Sequence, residues 1–182
     1  MAAIALIDTE TNWSDAVMSI GTVIADSVTF APVKGFYHVL DPEYRVGGIF
    51  EEALCLNAPE TIICSRQAAL SSIRAQLEAF GVRDLYAYNA CFDRRHLPEL
   101  REYRWYDIMQ VAAYRQYNPA IPAWAECCGT GRLKRGYGVE PMLRILSGQS
   151  SYRETHNALE DALDELKIME LLGRRPEDYF RL

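Results

Sequence analysis

The sequence predicts an α/β domain whose mixed sheet opens as an antiparallel three-stranded meander and is covered by helices. Two observations carry this. Three consecutive runs rich in apolar and β-branched residues open the chain, at 2–7, 17–25 and 28–40. Helical and strand-like segments then alternate toward the C-terminus, the pattern of a sheet packed against helices. A length of 182 residues fits one domain over 1–182, and a hydrophobic fraction of 49% excludes wholesale disorder.

Each element has a local signal. Residues 2–7 (AAIALI) are apolar without interruption up to Asp8 and read as a buried strand. Residues 17–25 (VMSIGTVIA) are a second strand, and Asp26-Ser27 is the turn into the third. That third run, 28–40, alternates loosely through Phe30, Phe36, Tyr37 and Val39 and is interrupted near Pro32 and Gly35. Ala69, Ile73, Leu77 and Phe80 recur at helical spacing over 65–80, and Gly81 is the stop. A short strand at 85–88 precedes a helix at 93–103. Trp105-Tyr106 form a fifth, very short strand, and Asp107 caps a helix over 108–117 that Asn118-Pro119 end. A Gly/Arg-rich loop, 129–138, leads to a helix at 139–146 with Glu140 and Pro141 in its first turn. An amphipathic helix at 159–172 closes at Gly173.

The bulk properties narrow the class. No run approaches the roughly 20 apolar residues needed to span a bilayer. The start lacks a basic n-region, and neither end carries a lipidation motif, so the expectation is a soluble, cytoplasmic protein with no membrane partner. Cys55, Cys64, Cys91, Cys127 and Cys128 are odd in number and form no CxxC pair, which favours reduced thiols over disulfides or a zinc knuckle. A net charge of −6 argues against a large basic nucleic-acid surface, yet a site that gathers carboxylates around metal ions itself lowers the total.

Three segments carry chemistry. Asp8 and Glu10 end the first apolar strand, and strand alternation sends both to one face. Two carboxylates side by side on a buried strand repel and lose hydration; a divalent cation relieves both costs, and hard oxygen ligands suit Mg²⁺ or Mn²⁺. Asp93 follows the short strand through Asn89-Ala90-Cys91-Phe92. Asp161 lies early in the last helix at the edge of its apolar stripe, with small Ala158 and Ala162 beside it, and His156 stands five residues ahead. A histidine near such an acid is suited to proton transfer close to a metal. Taken singly, each motif also reads plainly as a solvated strand end or a helix cap.

Together, Asp8-Thr9-Glu10-Thr11, Asn89-Ala90-Cys91-Phe92-Asp93 with Leu97, and His156-Asn157-Ala158-Leu159-Glu160-Asp161-Ala162 resemble the three motifs of the DEDDh 3′→5′ exonucleases. This family of the RNase H-like superfamily includes the proofreading subunit of the bacterial replicative polymerase, RNase T and oligoribonuclease. The resemblance covers nearly the whole chain, leaving a short tail after Gly173. It implies a five-stranded mixed RNase H-like sheet with helices on both faces. It also implies two divalent cations, Mg²⁺ or Mn²⁺: Asp8, Glu10 and Asp161 would hold one, and Asp8 would bridge to a second supported by Asp93. His156 would act as general base, and nucleoside 5′-monophosphates would leave the 3′ end of single-stranded DNA or RNA. A homodimer, or a polymerase or repair complex, is a partner the family admits.

The sequence departs from the family pattern where Asn12-Trp13 replace the usual residues after the first motif and where Ser19 precedes Ile20-Gly21. Those positions leave the ligands intact and put the substrate in question. Thr9, Thr11, Asn12, Trp13, Asn89, Phe92 and Arg132 are the candidate substrate contacts, Trp13 by base stacking and Arg132 by phosphate binding from the Gly/Arg-rich loop. Arg94 and Arg95 are further phosphate candidates, while His38 and His96 read as structural. A catalytically weak binding or adaptor module of the same fold is the rival reading; it predicts loss of a ligand, and all five positions are occupied. An RNase H-like endonuclease lacks the His156–Asp161 arrangement.

Overall fold

A computed structural model describes residues 2–182. Seven strands form one sheet in the order β4-β3-β2-β1-β5-β6-β7. The opening meander is β1 (Ala3–Thr11), β2 (Val17–Asp26) and β3 (Pro32–Leu40), paired antiparallel as expected. β4 (Thr61–Cys64) lies parallel to β3; β5 (Asp84–Ala87) and β6 (Arg104–Asp107) run parallel to β1; β7 (Phe180–Arg181) closes the far edge antiparallel to β6. Five helices surround the sheet: α1 (Arg66–Ala79), α2 (Cys91–His96), α3 (Met109–Ala112), α4 (Val139–Ser147) and α5 (Ala158–Leu172). No helix among the described residues is long and apolar enough to cross a membrane.

Alternation along β1 divides the core. Ile4 and Leu6 pack with α3, α4 and α5 on one face, and Ala5 and Ile7 pack with α1 on the other. Each large aliphatic side chain buried this way contributes roughly 1.5–3 kcal/mol. Asp8 and Glu10 continue the Ile4–Leu6 series and therefore face α5. The sheet between these layers has helices on both faces.

The structure corrects several boundaries, each for a physical reason. The sheet has seven strands where five were expected. β4 shows no alternation because it is an edge strand with both isoleucines exposed, and β7 is two residues long and exists only through its pairing with β6. The segment after Gly173 is thus not a free tail: Tyr179 is buried against Tyr86, whose hydroxyl donates to the Pro176 carbonyl at 3.0 Å. β3 begins at Pro32 because the Asp26 carboxylate collects the backbone N–H groups of Val28 and Thr29 into a turn. The helix expected at 93–103 is α2, which stops one residue before Pro98. The helix expected at 108–117 shrinks to α3. Loop 129–138 takes the next carbonyl, Leu133 N–H donating to Ala113 O at 3.0 Å, and Asn118 Nδ2 donates to Ala112 O.

Candidate active site

Gly21 determines how α5 reaches β1. It sits directly opposite Asp8 in the β1–β2 ladder, and a Cβ built there would lie 2.0 Å from the Ala158 carbonyl oxygen. Only a residue without a side chain lets the start of α5 settle on the sheet at this point. Asn157 caps the helix, its Oδ1 accepting from Leu159 N–H at 3.1 Å, while its Nδ2 donates to Ala53 O at 2.7 Å. The preceding residue, His156, adopts a left-handed backbone with φ of 57°, uncommon for a residue with a side chain. The result is that one ligand atom each from Glu10, His156 and Asp161 all lie within 4.8 Å of one another.

Asp8 is half-buried with its Oδ2 sealed from solvent, and Asp93 is buried. Asp93 is 2% exposed, and its Oδ1 accepts the Thr9 hydroxyl at 2.8 Å. Thr9 alternates to the other face of β1 from Asp8 and holds Asp93 in place from there. Burial, then Asp93 and further acids, hold the Asp8 carboxyl well above its usual range. Burial and Glu154 push Glu10 up to about 8, and the same two causes push Asp161 up to about 8. Burial raises Asp93 to about 7, with the Thr9 hydrogen bond opposing it. Among the described residues, no Lys or Arg forms an ion pair with any of these four acids.

Two acids in the cluster carried no motif. Glu165 is 1% exposed, one helical turn beyond Asp161, and burial holds its carboxyl well above the ordinary range. Its position was legible: Ala158, Asp161, Ala162, Glu165, Leu166 and Met169 share the inward stripe of α5. Glu154 stands in the loop before α5 and is pushed up to about 7, first by burial and then by Asp164. Its placement depends on loop path, which no periodicity reveals.

A divalent cation fits this donor set. The oxygens Asp8 Oδ2, Asp161 Oδ1 and Glu165 Oε2 are sealed from solvent without a hydrogen-bond partner. Buried acceptors without donors are costly, and a hard cation supplies what the chain does not. Glu10, His156 and Asp161 are the residues whose ligand atoms converge closely enough to surround one ion.

The expected substrate contacts divide. Trp13 is 67% exposed and its indole lies beside Gly47, at the head of the segment that carries Phe50. Phe50 stacks on the His156 ring at 3.9 Å and 18°, a contact with no sequence signal. Asn12, by contrast, is buried. Its Oδ1 accepts from Ser14 and Ala16 N–H and its Nδ2 donates to Glu43 O, so it shapes the turn and has no free polar atom to offer. Thr11 ends β1 half-buried. Asn89 adopts φ of 62° between β5 and α2, its N–H held by Asp107 Oδ1 at 3.1 Å, and its side chain is exposed. Phe92 packs on His96 at 4.3 Å. Arg132 lies over the Tyr137 ring at 4.5 Å, and Tyr137 O accepts the Tyr88 hydroxyl, which tethers the basic loop beside the acids. Arg95 faces Asp15 at 3.8 Å, and Arg94 is exposed without an ion pair. His96 bridges Phe92 O and Asp15, and buried His38 meets Ser72 at 3.3 Å.

A cavity of about 740 Å³ opens at the opposite end of the β1–β5 pair, lined by Ile4, Phe30, Tyr86 and Tyr106 among others. None of the acidic cluster reaches it, so size alone does not locate the chemistry.

The fold is similar to that of solved DEDDh 3′-exonucleases. The solved nuclease domain of 3′hExo, a DEDDh family member bound to rAMP, superposes with a TM-score of 0.68 at 13% identity, over 100% of this chain and 96% of that one. Exonuclease I from Methylocaldum szegediense gives 0.61 at 17% identity, over 97% of this chain and 41% of that one. A zinc-bound E. coli exonuclease I–ssDNA complex gives 0.60 at 12% identity, over 97% and 41%. The chain thus spans about two fifths of the exonuclease I chains. No family model matches the sequence, and no curated protein is similar to it.

Proposed function

We propose that this chain is a divalent-metal-dependent 3′→5′ exonuclease that shortens single-stranded DNA or RNA from its 3′ end and releases nucleoside 5′-monophosphates. One observation carries the reading. Glu10, His156 and Asp161 converge within 4.8 Å, above Asp8 and Asp93, in a fold shared with DEDDh exonucleases. Nucleic acid as substrate is supported by the rAMP and ssDNA bound to two of those neighbours.

In this reading Asp8, Glu10 and Asp161 would hold one Mg²⁺ or Mn²⁺ ion, and Asp8 and Asp93 would hold a second. Bound there, the cations offset negative charge on the attacking and leaving oxygens of a phosphodiester. His156 accepts the proton of the attacking water, a role that requires its ring to be neutral beforehand. Phe50 limits the orientations open to that ring through the stack. Thr9 fixes the rotamer of Asp93. Trp13 offers an exposed ring on which a base can stack, and Arg132 meets a phosphate.

The test is a degradation panel: 5′-labelled and 3′-labelled single- and double-stranded DNA and RNA, with Mg²⁺, Mn²⁺ or EDTA. The expected result is mononucleotide release from 3′-labelled single strands and a ladder from 5′-labelled ones, both abolished by EDTA. Internal fragments, or no degradation of any substrate with either metal, would overturn the reading.

A further inference from the structure

We propose that Glu165 is a fifth carboxylate ligand of the metal site, on the side of Asp8 and Asp93, and not merely a helix residue that happens to be acidic. The proposal rests on the metal-dependent reading above.

α5 places Asp161 and Glu165 one turn apart, so both side chains leave the same face of the helix. That face is otherwise built of Ala158, Ala162, Leu166 and Met169, all buried. A glutamate in such a stripe is among the costliest residues to enclose without a partner. Glu165 Oε1 accepts the Tyr88 backbone N–H at 2.9 Å. Glu165 Oε2 accepts nothing and is sealed from solvent.

The sheet shows where that carboxylate lies. β1 and β5 are adjacent and parallel, with Leu6 opposite Tyr86. β5 ends at Ala87, so Tyr88 leaves the sheet just beyond that pair, at the end of the strands where Asp8 stands. The carboxylate that binds Tyr88 N–H is therefore held at the Asp8 end of the sheet, where its charge raises the Asp8 carboxyl, and the Asp8 Oδ2 is also enclosed and unpartnered. Each residue keeps one enclosed, unpartnered oxygen, with no Lys or Arg paired to either among those described. Holding one backbone N–H requires only a neutral oxygen, which glutamine supplies. The second oxygen is the feature a cation completes.

The experiment measures Mn²⁺ binding to the full chain by electron paramagnetic resonance, together with the Tm of each protein with and without Mn²⁺. Glu165→Gln keeps the shape and the acceptor for Tyr88 N–H and removes only the charge. It should weaken Mn²⁺ binding at least tenfold and shrink the Mn²⁺-induced rise in Tm, while its metal-free Tm stays equal to or above wild type. Glu154→Gln removes the same charge from the neighbouring loop and should change Mn²⁺ affinity less than threefold. Mn²⁺ affinity within twofold of wild type in Glu165→Gln would overturn the proposal, leaving Glu165 as a structural acceptor. Equal losses in the two variants would also overturn it, since a diffuse field would then explain both. Asp8→Asn separates the two levels of the account. If wild type and Asp8→Asn bind Mn²⁺ equally, the metal reading itself fails; if only Asp8→Asn loses binding, that reading stands and Glu165 is no ligand.

Discussion

The two ends of the β1–β5 pair treat their acids in opposite ways. At the start of β5, Asp84 accepts two hydrogen bonds from the Arg104 guanidinium, one at 2.9 Å, and both side chains remain open to solvent. At the other end, Asp8, Asp93 and Glu165 are enclosed and none meets a cation from the chain. The first arrangement is complete in itself, and such an exposed pair contributes at most about 1 kcal/mol. The second is incomplete: repulsion and lost hydration raise every carboxyl in it. The fold pairs Asp84, Asp41 and Glu99 with arginines, while the buried acids Asp93, Asp161 and Glu165 have no Lys or Arg partner among the described residues.

The largest effect that would sharpen this contrast is at Asp8. Asp8→Asn should lower the turnover of a 3′-labelled oligonucleotide by more than the roughly 10–100-fold carried by outer-shell partners of metal ligands. Its metal-free Tm should rise, because a repelled charge is gone. Gly21→Ala is next. The added methyl meets the Ala158 backbone and must displace the start of α5, at a cost of roughly 1–3 kcal/mol. A shift of about 1 Å there separates Asp161 and His156 from Asp8 and should cost turnover on the order of 100-fold. A Gly21→Ala protein with wild-type kcat would show that α5 does not need this close approach.

The pH dependence is smaller and has a definite sign. Glu10 and Asp161 have folded-state pKa values near 8, raised from 4.5 and 3.8. Between those limits the folded state retains protons that the unfolded chain has lost, so stability falls as pH rises. The penalty is absent below about pH 4 and complete above about pH 8. Metal-free protein should therefore lose Tm across that window, and Mn²⁺ should restore it most at the alkaline end, where the ligands need no deprotonation. A metal-free Tm that climbs from pH 5 to pH 8 would contradict the raised carboxyls. The smallest effect is at the opposite end of the strands. Asp84→Asn should change stability by no more than about 1 kcal/mol, measured by urea unfolding, and leave turnover unchanged.

What the sequence made legible follows from local rules. Strand alternation put Asp8 and Glu10 on one face, and α5 kept its stripe and its stop at Gly173. The functional reading came from motif order, and the folded chain then brought the third motif against the first. Illegible features depend on partners far along the chain. β7 pairs Tyr106 with Arg181 and the Tyr86–Tyr179 contact joins residues still further apart along the chain. Phe50 meets His156 only because Ala53 anchors Asn157. α3 ends early because loop 129–138 competes for its carbonyls. Asn12, expected at the substrate, is consumed by its own turn, since Asn oxygens readily bind backbone N–H two residues on.

The most direct test of the central claim is single-turnover release of the 3′-terminal nucleotide by wild-type and His156→Ala proteins at saturating Mn²⁺. Removing the imidazole should slow the chemical step roughly 100- to 10,000-fold while Mn²⁺ binding and the direction of digestion persist. A His156→Ala rate within threefold of wild type would contradict the account, because the converging Glu10, His156 and Asp161 would then not be the site of hydrolysis.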